Sequence, residues 1–445
     1  MGDEIYKSSN TGVEWILSLG KFGQKPGLSR VDYIMDKLGN PQDEVKYIHI
    51  GGTNGKGSTS SYIASILKET GYKVGLFTSP FMERFNERFR INDKDIPDEV
   101  LERLIEEVKP IAMDKNLHEK HGHPTQFEIV TAIAFLYFAR EKVDFVVLEV
   151  GLGGRLDSTN IITPTLSVIT NIGLEHTDVL GDSVEEIAAE KAGIIKENVP
   201  VVTAIEDENA LKVIEDKAME ENSKVYKIRE DFSYEYIESN LEGQLFDYKG
   251  INGREMDSLK INLLGSHQMK NASLAVATVE ALKVLGFDIP LIYIREGLKK
   301  AKCPGRMEIL NDEPFILLDA SHNLEGIRCL GNEIRKNLSP YKDIILLIGV
   351  LADKEVEKML AEILPVATYV IFTTPDNPRA KTPGDLVEYA LEYVSEENII
   401  VEENIDKAVD MAMGFIEGKN SELALVCCGS FFVVSPVRNC LKNNH

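Results

Sequence analysis

The feature that most constrains this chain is a glycine-rich turn between an apolar run and a helical pattern. Residues 45–50 indicate a buried strand, residues 57–69 indicate a helix, and the run GGTNGKGST fills positions 51–59. A strand, a glycine-rich turn and a helix direct free backbone N–H groups at one point, where a phosphate can bind. A lysine in such a turn binds the terminal phosphates and a following hydroxyl ligates Mg²⁺. The predicted nucleotide contacts are Thr53, Asn54, Gly55, Lys56, Gly57, Ser58 and Thr59.

The turn departs from the usual nucleotide loop at two positions. Ile50 stands where the first glycine is normally found, and Gly57 rather than Ser or Thr follows Lys56. The variant Thr-Asn-Gly-Lys-Gly-Ser resembles the loop of the Mur ligase superfamily, whose members are ATP-dependent enzymes that join an amino acid to a carboxylate. A glycine-rich turn with an incidental lysine is the alternative, and the strand and helix on either side argue against it.

Composition excludes several classes of protein. A chain of 445 residues exceeds what one core usually supports, so two domains are expected. The net charge of −23 argues against a nucleic-acid or anionic-membrane partner, because both need a basic surface. There is no long apolar run, no signal-peptide pattern, and no metal-type spacing among the five cysteines. We expect a cytoplasmic monomer that acts on small molecules.

Apolar runs alternate with helical periodicity along most of the chain, which predicts βα units and a parallel sheet. Residues 224–264 alternate less regularly and indicate an antiparallel edge. A second α/β pattern begins near residue 307, after the turn signal Pro304-Gly305. The predicted organisation is a domain over 1–300, a hinge over 301–306 and a second domain over 307–445.

Several motifs beyond the first loop follow one another in a recognisable order. The predicted strand 144–150 brings a carboxylate, Glu149, to its end, where phosphate-loop enzymes bind Mg²⁺. The next stretch, GLGGRLDSTN at 151–160, resembles a signature of folylpolyglutamate synthases and dihydrofolate synthases, a branch of the Mur ligase superfamily. Further stretches that resemble this family lie at 170–177, 190–196, 265–272, 304–306, 319–323 and 429–430.

The resemblance implies a fold and a set of phosphate and metal contacts. The fold is an N-terminal ATPase domain with a parallel sheet and a small antiparallel flank, followed by a Rossmann-like α/β domain. Lys56 would hold the phosphates, and Ser58 with Glu149 would bind one Mg²⁺. His176 would help bind a second Mg²⁺, together with Lys191 in a carbamylated form. Taken alone, a histidine after a strand is usually satisfied by its neighbours, and a lysine on such a helix is usually solvated.

The resemblance also implies contacts from the second half of the chain. Asn271 matches an adenine contact, and Arg306 matches a residue that reaches the phosphates when the domains close. Asp319 and His322 match positions near the ribose and the reaction centre. Ser430, with His322, matches a position near the incoming glutamate. The motif at 319–323 has Ala where the family has Gly, so the turn there is expected to differ.

The sequence defines less well where the carboxylate-bearing substrate, here called the acceptor, would bind. Residues 84–88 resemble the family's folate loop and residues 125–128 a second contact segment, which makes Arg84, Phe85 and Phe127 the candidate folate contacts. A pterin needs flat apolar walls and its tail needs a cation, although aromatic residues on helices more often belong to the core. Phe81-Met82 stand where the family often has His-Leu, so the details of the pterin site are expected to differ.

The implied activity is ATP-dependent ligation of L-glutamate to a folate, to dihydropteroate, or to both, through an acyl phosphate. The implied cofactors are two Mg²⁺ ions, with ATP as co-substrate and a monovalent cation as a further candidate. One alternative is a peptidoglycan Mur ligase acting on a UDP-linked sugar, against which the 151–160 stretch argues. The other is a nucleotide-dependent switch, which usually carries an Asn-Lys-x-Asp motif that this sequence lacks.

Overall fold

The computed structural model describes residues 11–20, 27–338, 341–419 and 423–444. Its N-terminal part is built on an eight-stranded sheet in the order β4-β3-β2-β5-β1-β6-β7-β8. The strands are β1 Lys46–Gly51, β2 Val74–Phe77, β3 Phe89–Ile91, β4 Lys94–Asp95, β5 Phe145–Glu149, β6 Leu166–Ile169, β7 Val201–Thr203 and β8 Val225–Lys227. All neighbours are parallel except β2–β3 and β3–β4. The predicted parallel sheet is therefore confirmed, with an antiparallel edge at 89–95 that the sequence analysis did not predict.

The predicted antiparallel edge over 224–264 divides into two pieces. Residues 225–227 form β8 and extend the main sheet in parallel, so the prediction for them was wrong. The rest forms a separate antiparallel sheet of three strands, β9 Ser233–Asn240, β10 Gly243–Lys249 and β11 Glu255–Ile261. The alternating pattern revealed an antiparallel pairing, but it could not reveal which sheet the strands would join.

The C-terminal part has a six-stranded mixed sheet in the order β12-β13-β17-β14-β15-β16. Its strands are β12 Glu308–Asp312, β13 Phe315–Leu318, β14 Asp343–Ile348, β15 Tyr369–Phe372, β16 Ile399–Val401 and β17 Leu423–Cys428. The first strand pairs antiparallel with the second because only two residues connect them, and the other pairs are parallel. This is the α/β architecture expected for the second half of the chain.

Helices cover the faces of both large sheets. They are α1 Thr11–Ser18, α2 Ser29–Lys37, α3 Lys56–Glu69, α4 Asp98–Ala112, α5 Lys115–His121, α6 Gln126–Arg140, α7 Thr177–Leu180, α8 Val184–Ala192, α9 Glu208–Glu220, α10 His267–Val284, α11 Leu291–Lys300, α12 Leu324–Asn337, α13 Val356–Ile363, α14 Val387–Ala390, α15 Ile405–Lys419 and α16 Phe431–Asn444. Among these described helices, none has the length and apolar character needed to cross a membrane.

The packing of α10 explains how the loop-bearing helix α3 is held. Helix α10 is alanine-rich and buried on nearly every face, because it shares one core with α3, the main sheet and the three-stranded sheet. Small side chains allow such close approach from several directions, and each larger apolar side chain buried there, such as that of Leu274 or Val276, adds about 1.5–3 kcal/mol. The carboxyl end of the central strand β1 and the start of α3 are thereby fixed at the edge that faces the C-terminal part.

Candidate active site

The glycine-rich loop is held in place by the strand beside it. Gly55 has a φ of +81° and immediately precedes α3, which begins at Lys56. Asn171, just past the end of β6, accepts the N–H of Thr53 on its carbonyl at 2.9 Å and the N–H of Asn54 on its side-chain oxygen at 2.7 Å. The loop is therefore preorganised beside a helix N-terminus, the position at which backbone N–H groups favour an anion.

Two amines meet at one loop carbonyl. The Nζ of Lys56 donates to the carbonyls of Gly52 and Thr53, each at 2.9 Å, and the Nζ of Lys191 donates to the same Gly52 carbonyl at 2.9 Å. Burial, followed by the charge of Lys56, lowers the pKa of Lys191 to about 7. A buried amine next to another cation loses its proton readily, so Lys191 can present a neutral, nucleophilic amine near neutral pH.

The carboxylate of Glu149 lies at the end of β5 and is 4% exposed. Burial raises its pKa, while the charge of Lys56 and a hydrogen bond of 3.2 Å from the N–H of Ser79 act in the opposite direction. Nearby, the hydroxyl of Ser58 accepts a hydrogen bond of 3.1 Å from the side chain of Gln268. Carboxylate and hydroxyl oxygens are the hard ligands that Mg²⁺ prefers.

Glu175 joins the two parts of the molecule. Its Oε1 lies 3.7 Å from Nε2 of His176 and 3.8 Å from Nε2 of His322, which belongs to the C-terminal part. Burial alone would raise the pKa of Glu175, but the nearby imidazole of His322 and the charge of Lys56 lower it to about 2. The pKa of His176 is lowered, chiefly by burial, even though Glu175 acts to raise it. Glu175 is therefore ionised between two imidazoles.

A second contact between the parts involves the loop itself. The side chain of Asn54 donates to Glu325 at 2.6 Å and accepts from Asn323 at 3.0 Å. Both partners lie at the N-terminus of α12, where Asn323 also caps the helix by accepting the N–H of Gly326. The glycine-rich loop is thus tied directly to the C-terminal part.

Arg306, in the connection between the two parts, and Asp319, just past β13, lie close to these contacts. The guanidinium carbon of Arg306 lies 4.9 Å from the ring centre of Phe431, a cation–π contact. Asp319 is buried and accepts the backbone N–H groups of Met307 and Ser321 at 2.8 and 2.9 Å. The side chain of Asp319 therefore holds both the backbone at Met307 and the turn at 319–321. In that turn Ala320 does not adopt a positive φ, so the alanine found in place of glycine introduces no strain.

Ser430 lies at the start of α16 and is 2% exposed. Its hydroxyl accepts the N–H of Phe432 at 3.1 Å, and its carbonyl accepts the N–H of Val433 and Val434. This is the geometry of a helix N-cap. The serine therefore has a structural partner in addition to the ligand contact that the sequence suggests.

Most of the predicted site residues line a single cavity of about 420 Å³ between the N-terminal and C-terminal parts, here called the cleft. The predicted residues that line the cleft are Thr53, Asn54, Gly55, Lys56, Gly57, Ser58, Glu149, His176, Lys191, Asn271, Arg306, Asp319, His322 and Ser430. Thr59 is fully buried behind the loop and does not line the cleft.

The three predicted folate contacts lie outside the cleft lining. Arg84 is exposed and pairs with Asp98 at 2.8 Å. Phe85 is 5% exposed in the core of the N-terminal part, and Phe127 packs against that core with its ring 6.0 Å from that of Phe77. The two aromatic residues therefore serve the core in this structure, which is the alternative that the sequence left open.

Three residues with a clear place in the site had no predicted role: Asn171, Glu175 and Glu325. Asn171 and Glu175 both lie within the stretch 170–177, and a polar residue just past a parallel strand was the available signal. The role of Glu325 depends on a contact with Asn54, 271 positions earlier in the chain. No local pattern could have revealed that pairing.

Known proteins resemble this chain over most of its length. Residues 50–279 match the family model of the Mur ligase middle domain. The dihydrofolate synthase/folylpolyglutamate synthase of Bacillus subtilis is 39% identical, over 96% of this chain and 98% of the relative. The chain belongs to the folylpolyglutamate synthase/dihydrofolate synthase family. It is an ATP-dependent ligase, as members of this Mur ligase branch are.

Solved structures of this family agree with the fold. The Mycobacterium tuberculosis folylpolyglutamate synthase complexed with ADP and AMPPCP has a TM-score of 0.88 and 29% identity, covering 98% of this chain and 99% of that one. The Escherichia coli family member in complex with DHPP and ADP has a TM-score of 0.84 and 28% identity, covering 97% of each chain. The predicted fold class and family are thus confirmed.

Proposed function

We propose that this ligase joins L-glutamate to a folate, to dihydropteroate, or to both, and that the chemistry takes place in the cleft. The observation that carries the proposal is the meeting of the glycine-rich loop, a buried carboxylate and an arginine in one cavity. Lys56 and Glu149 come from the N-terminal part and Arg306 from the connection between the two parts. The ADP, AMPPCP and DHPP bound to related structures support a nucleotide and a pterin-type acceptor as substrates.

The reaction requires activation of a carboxylate, which is a poor electrophile toward an amine. An oxygen of the acceptor carboxylate attacks the γ-phosphorus of ATP, ADP leaves, and an acyl phosphate forms. The amine of glutamate then attacks the acyl carbon, and inorganic phosphate leaves with the electron pair. Two anions must approach each other in the first step, so Lys56 and Arg306 stabilise the transition state by offsetting their repulsion.

His322 is suited to receive the proton released by the attacking amine. Its Nδ1 lies 2.9 Å from the carbonyl of Ala320, an acceptor, so the neutral ring donates there and leaves Nε2 free to accept a proton. Glu175 lies on the Nε2 side and stabilises the imidazolium that results. Ser430 and His322 then flank the position proposed for glutamate.

The residues fit the magnesium ions implied by the family. Glu149 and Ser58 offer hard oxygen ligands, and Mg²⁺ commonly uses one or two protein ligands together with phosphate oxygens. When bound, Mg²⁺ would supply charge stabilisation to the phosphates. A monovalent cation remains a prediction.

We further propose that Lys191 is carbamylated in the active enzyme. As an ammonium, it would repel a metal ion beside His176, whereas a carbamate would be an anion and could serve as a ligand. Its burial and its position next to Lys56 favour the neutral amine that reacts with CO₂.

Three further proposals rest on the sequence. The domains span 1–300 and 307–445 with a hinge at 301–306. Asn271 and Asp319 contact the nucleotide, and the protein is a cytoplasmic monomer.

Product analysis tests the function directly. The enzyme is supplied with ATP, glutamate and one of three acceptors: dihydropteroate, tetrahydrofolate or a UDP-muramyl peptide. We expect glutamylated product with a pterin acceptor, and ATP consumption only when acceptor and glutamate are both present. With ¹⁸O in the acceptor carboxylate, label should appear in the released phosphate. Turnover of the UDP-muramyl peptide alone would contradict the proposed acceptor.

A further inference from the structure

Residues 79–88, here called the bridging segment, contact both parts of the molecule. The segment begins in the cleft, where the N–H of Ser79 bonds to Glu149. Its far end is fixed to the N-terminal part, since the side chain of Asn86 donates to the carbonyl of Ile96 at 2.7 Å and to Asp98 at 2.8 Å. The segment therefore connects the proposed metal ligand to the surface that carries Arg84.

The middle of the bridging segment is buried in the C-terminal part. Met82 is 4% exposed and belongs to a core cluster made otherwise of C-terminal residues. Its carbonyl accepts a hydrogen bond from the hydroxyl of Ser435 on α16. Gly305 in the hinge makes room for it, because a Cβ there would lie 2.1 Å from Cε of Met82. The segment and the hinge are thus in direct contact.

Arg438 on α16 links the bridging segment to the start of the second sheet. It forms an ion pair with Glu83 of the segment and a two-pronged pair with Glu308 of β12, with Nε–Oε2 at 2.9 Å and Nη2–Oε1 at 2.7 Å. The Oε2 of Glu308 also accepts the N–H of Gly305 at 2.8 Å. The side chain of Arg438 is 11% exposed, so these charge-assisted contacts are shielded from water and are stronger than surface pairs.

The turn that presents Glu83 is itself rigid. The carboxylate of Glu87 accepts the backbone N–H groups of Met82, Glu83 and Arg84 at 2.7, 2.9 and 2.9 Å. Because one carboxylate holds all three backbone N–H groups, a displacement of Glu83 also displaces Arg84. Lys442, one turn further along α16, adds a weaker and more exposed contact to Glu83 at 3.0 Å.

We propose that Arg438 is a positioning residue for the acceptor substrate. Through Glu83 and Glu308 it fixes the position of the bridging segment relative to the hinge, so that the proposed acceptor contact Arg84 is held in a set position relative to the cleft. Arg438 lies outside the cleft lining and acts only through these partners. The inference rests on the proposed function, because it assigns the bridging segment to the acceptor.

The test compares Arg438→Met with a matched control, Arg328→Met. Arg328 forms an ion pair with Glu362 at 2.8 Å on the surface of the same part, away from the segment. For Arg438→Met we expect the acceptor KM to rise about tenfold, while the KM for ATP changes less than twofold. The reason is that the lost charge-assisted contacts position the bridging segment and do not position the glycine-rich loop. Arg438→Lys should recover part of the loss. Arg328→Met should behave as wild type.

Hydrogen–deuterium exchange of the enzyme alone supplies a readout that needs no substrate. Amides of 79–88 should exchange faster in Arg438→Met, while those of 145–149 stay unchanged. If Arg438→Met does not fold, Glu83→Gln tests the same link and leaves the Arg438–Glu308 pair intact. Unchanged acceptor KM and unchanged exchange in a folded variant would overturn the proposal, as would an equal rise in the ATP and acceptor KM. Failure of wild type to use any folate would instead overturn the proposed function.

Discussion

The proposed phosphate side of the cleft and the proposed acceptor side, whose candidate contacts lie outside the cleft lining, are built in different ways. The phosphate side lies at the ends of buried central strands, and its residues bond to one another: Lys56 and Lys191 share the carbonyl of Gly52, and Asn171 holds the loop. The acceptor candidate Arg84 lies on the bridging segment, beside an edge strand, and pairs with the surface residue Asp98. Central strands give a site its rigidity, whereas an edge segment takes its position from contacts with another part of the molecule.

The largest expected effect tests the phosphate side. Lys56→Ala and Glu149→Ala should each lower kcat by at least a hundredfold, because each removes a charge that acts on the transferring phosphoryl group or its Mg²⁺. Circular dichroism and thermal denaturation check that the variants fold. Near-normal turnover by either folded variant would show that the site lies elsewhere.

Lys191 tests whether the phosphate side depends on a modified residue. Lys191→Ala should lose activity to a similar extent, and short carboxylates such as acetate should restore part of it by occupying the anion position. Mass spectrometry of the wild type, kept with bicarbonate, should detect an added mass of CO₂ on the peptide containing Lys191. Full activity of Lys191→Ala without additives would exclude this role.

Glu175 tests the electrostatic link between the two parts. Its pKa of about 2 lies below the ordinary value of 4.5, so its ionised form stabilises the folded state above pH 4.5 and this contribution is lost as pH falls toward 2. Unfolding free energy measured against pH should therefore fall less steeply over that range in Glu175→Gln than in wild type. Identical slopes would show that Glu175 has no favourable partner in solution.

A paired experiment tests the acceptor side. If Arg84 binds the acceptor, Arg84→Ala should raise the acceptor KM severalfold, while Asp98→Asn should lower it by releasing the guanidinium. The effects should be modest, because an exposed ion pair is worth about 0.2–1 kcal/mol. The KM for ATP serves as the internal control. If both variants shift the acceptor KM in the same direction, the Arg84–Asp98 pair stabilises the conformation of the bridging segment and Arg84 does not contact the substrate.

The smallest effect on activity is expected at Ser430, where the main change is in stability. Loss of its N-cap hydrogen bond in Ser430→Ala should lower the free energy of unfolding by about 1 kcal/mol. Ser430→Asn keeps a capping side chain and should retain most of the stability. Chemical denaturation gives the stability and a glutamate titration gives the KM. If the glutamate KM rises in the asparagine variant as well, the serine also contacts substrate.

Much of the phosphate side could be predicted from the sequence, because its residues occur in short motifs with a local geometric reason. The loop 51–59 requires a strand before it and a helix after it, and Glu149 ends a strand that pairs with β1. Parallel strands bring their carboxyl ends to one edge of a sheet, so motifs far apart in the chain converge there. The alternation of apolar runs with helical periodicity likewise predicted the order of the elements and the main sheet.

Only the tertiary structure decided which residues meet across the cleft and what each side chain contacts. The pairings of Glu175 with His322, Asn54 with Glu325, and Arg438 with Glu83 join residues that are far apart in the chain, and local patterns carry no information about such partners. The pKa of Lys191 likewise depends on burial and on Lys56, neither of which is visible on its own helix. Motifs specify local conformation and chemistry, whereas burial and charge partners arise from packing between distant segments.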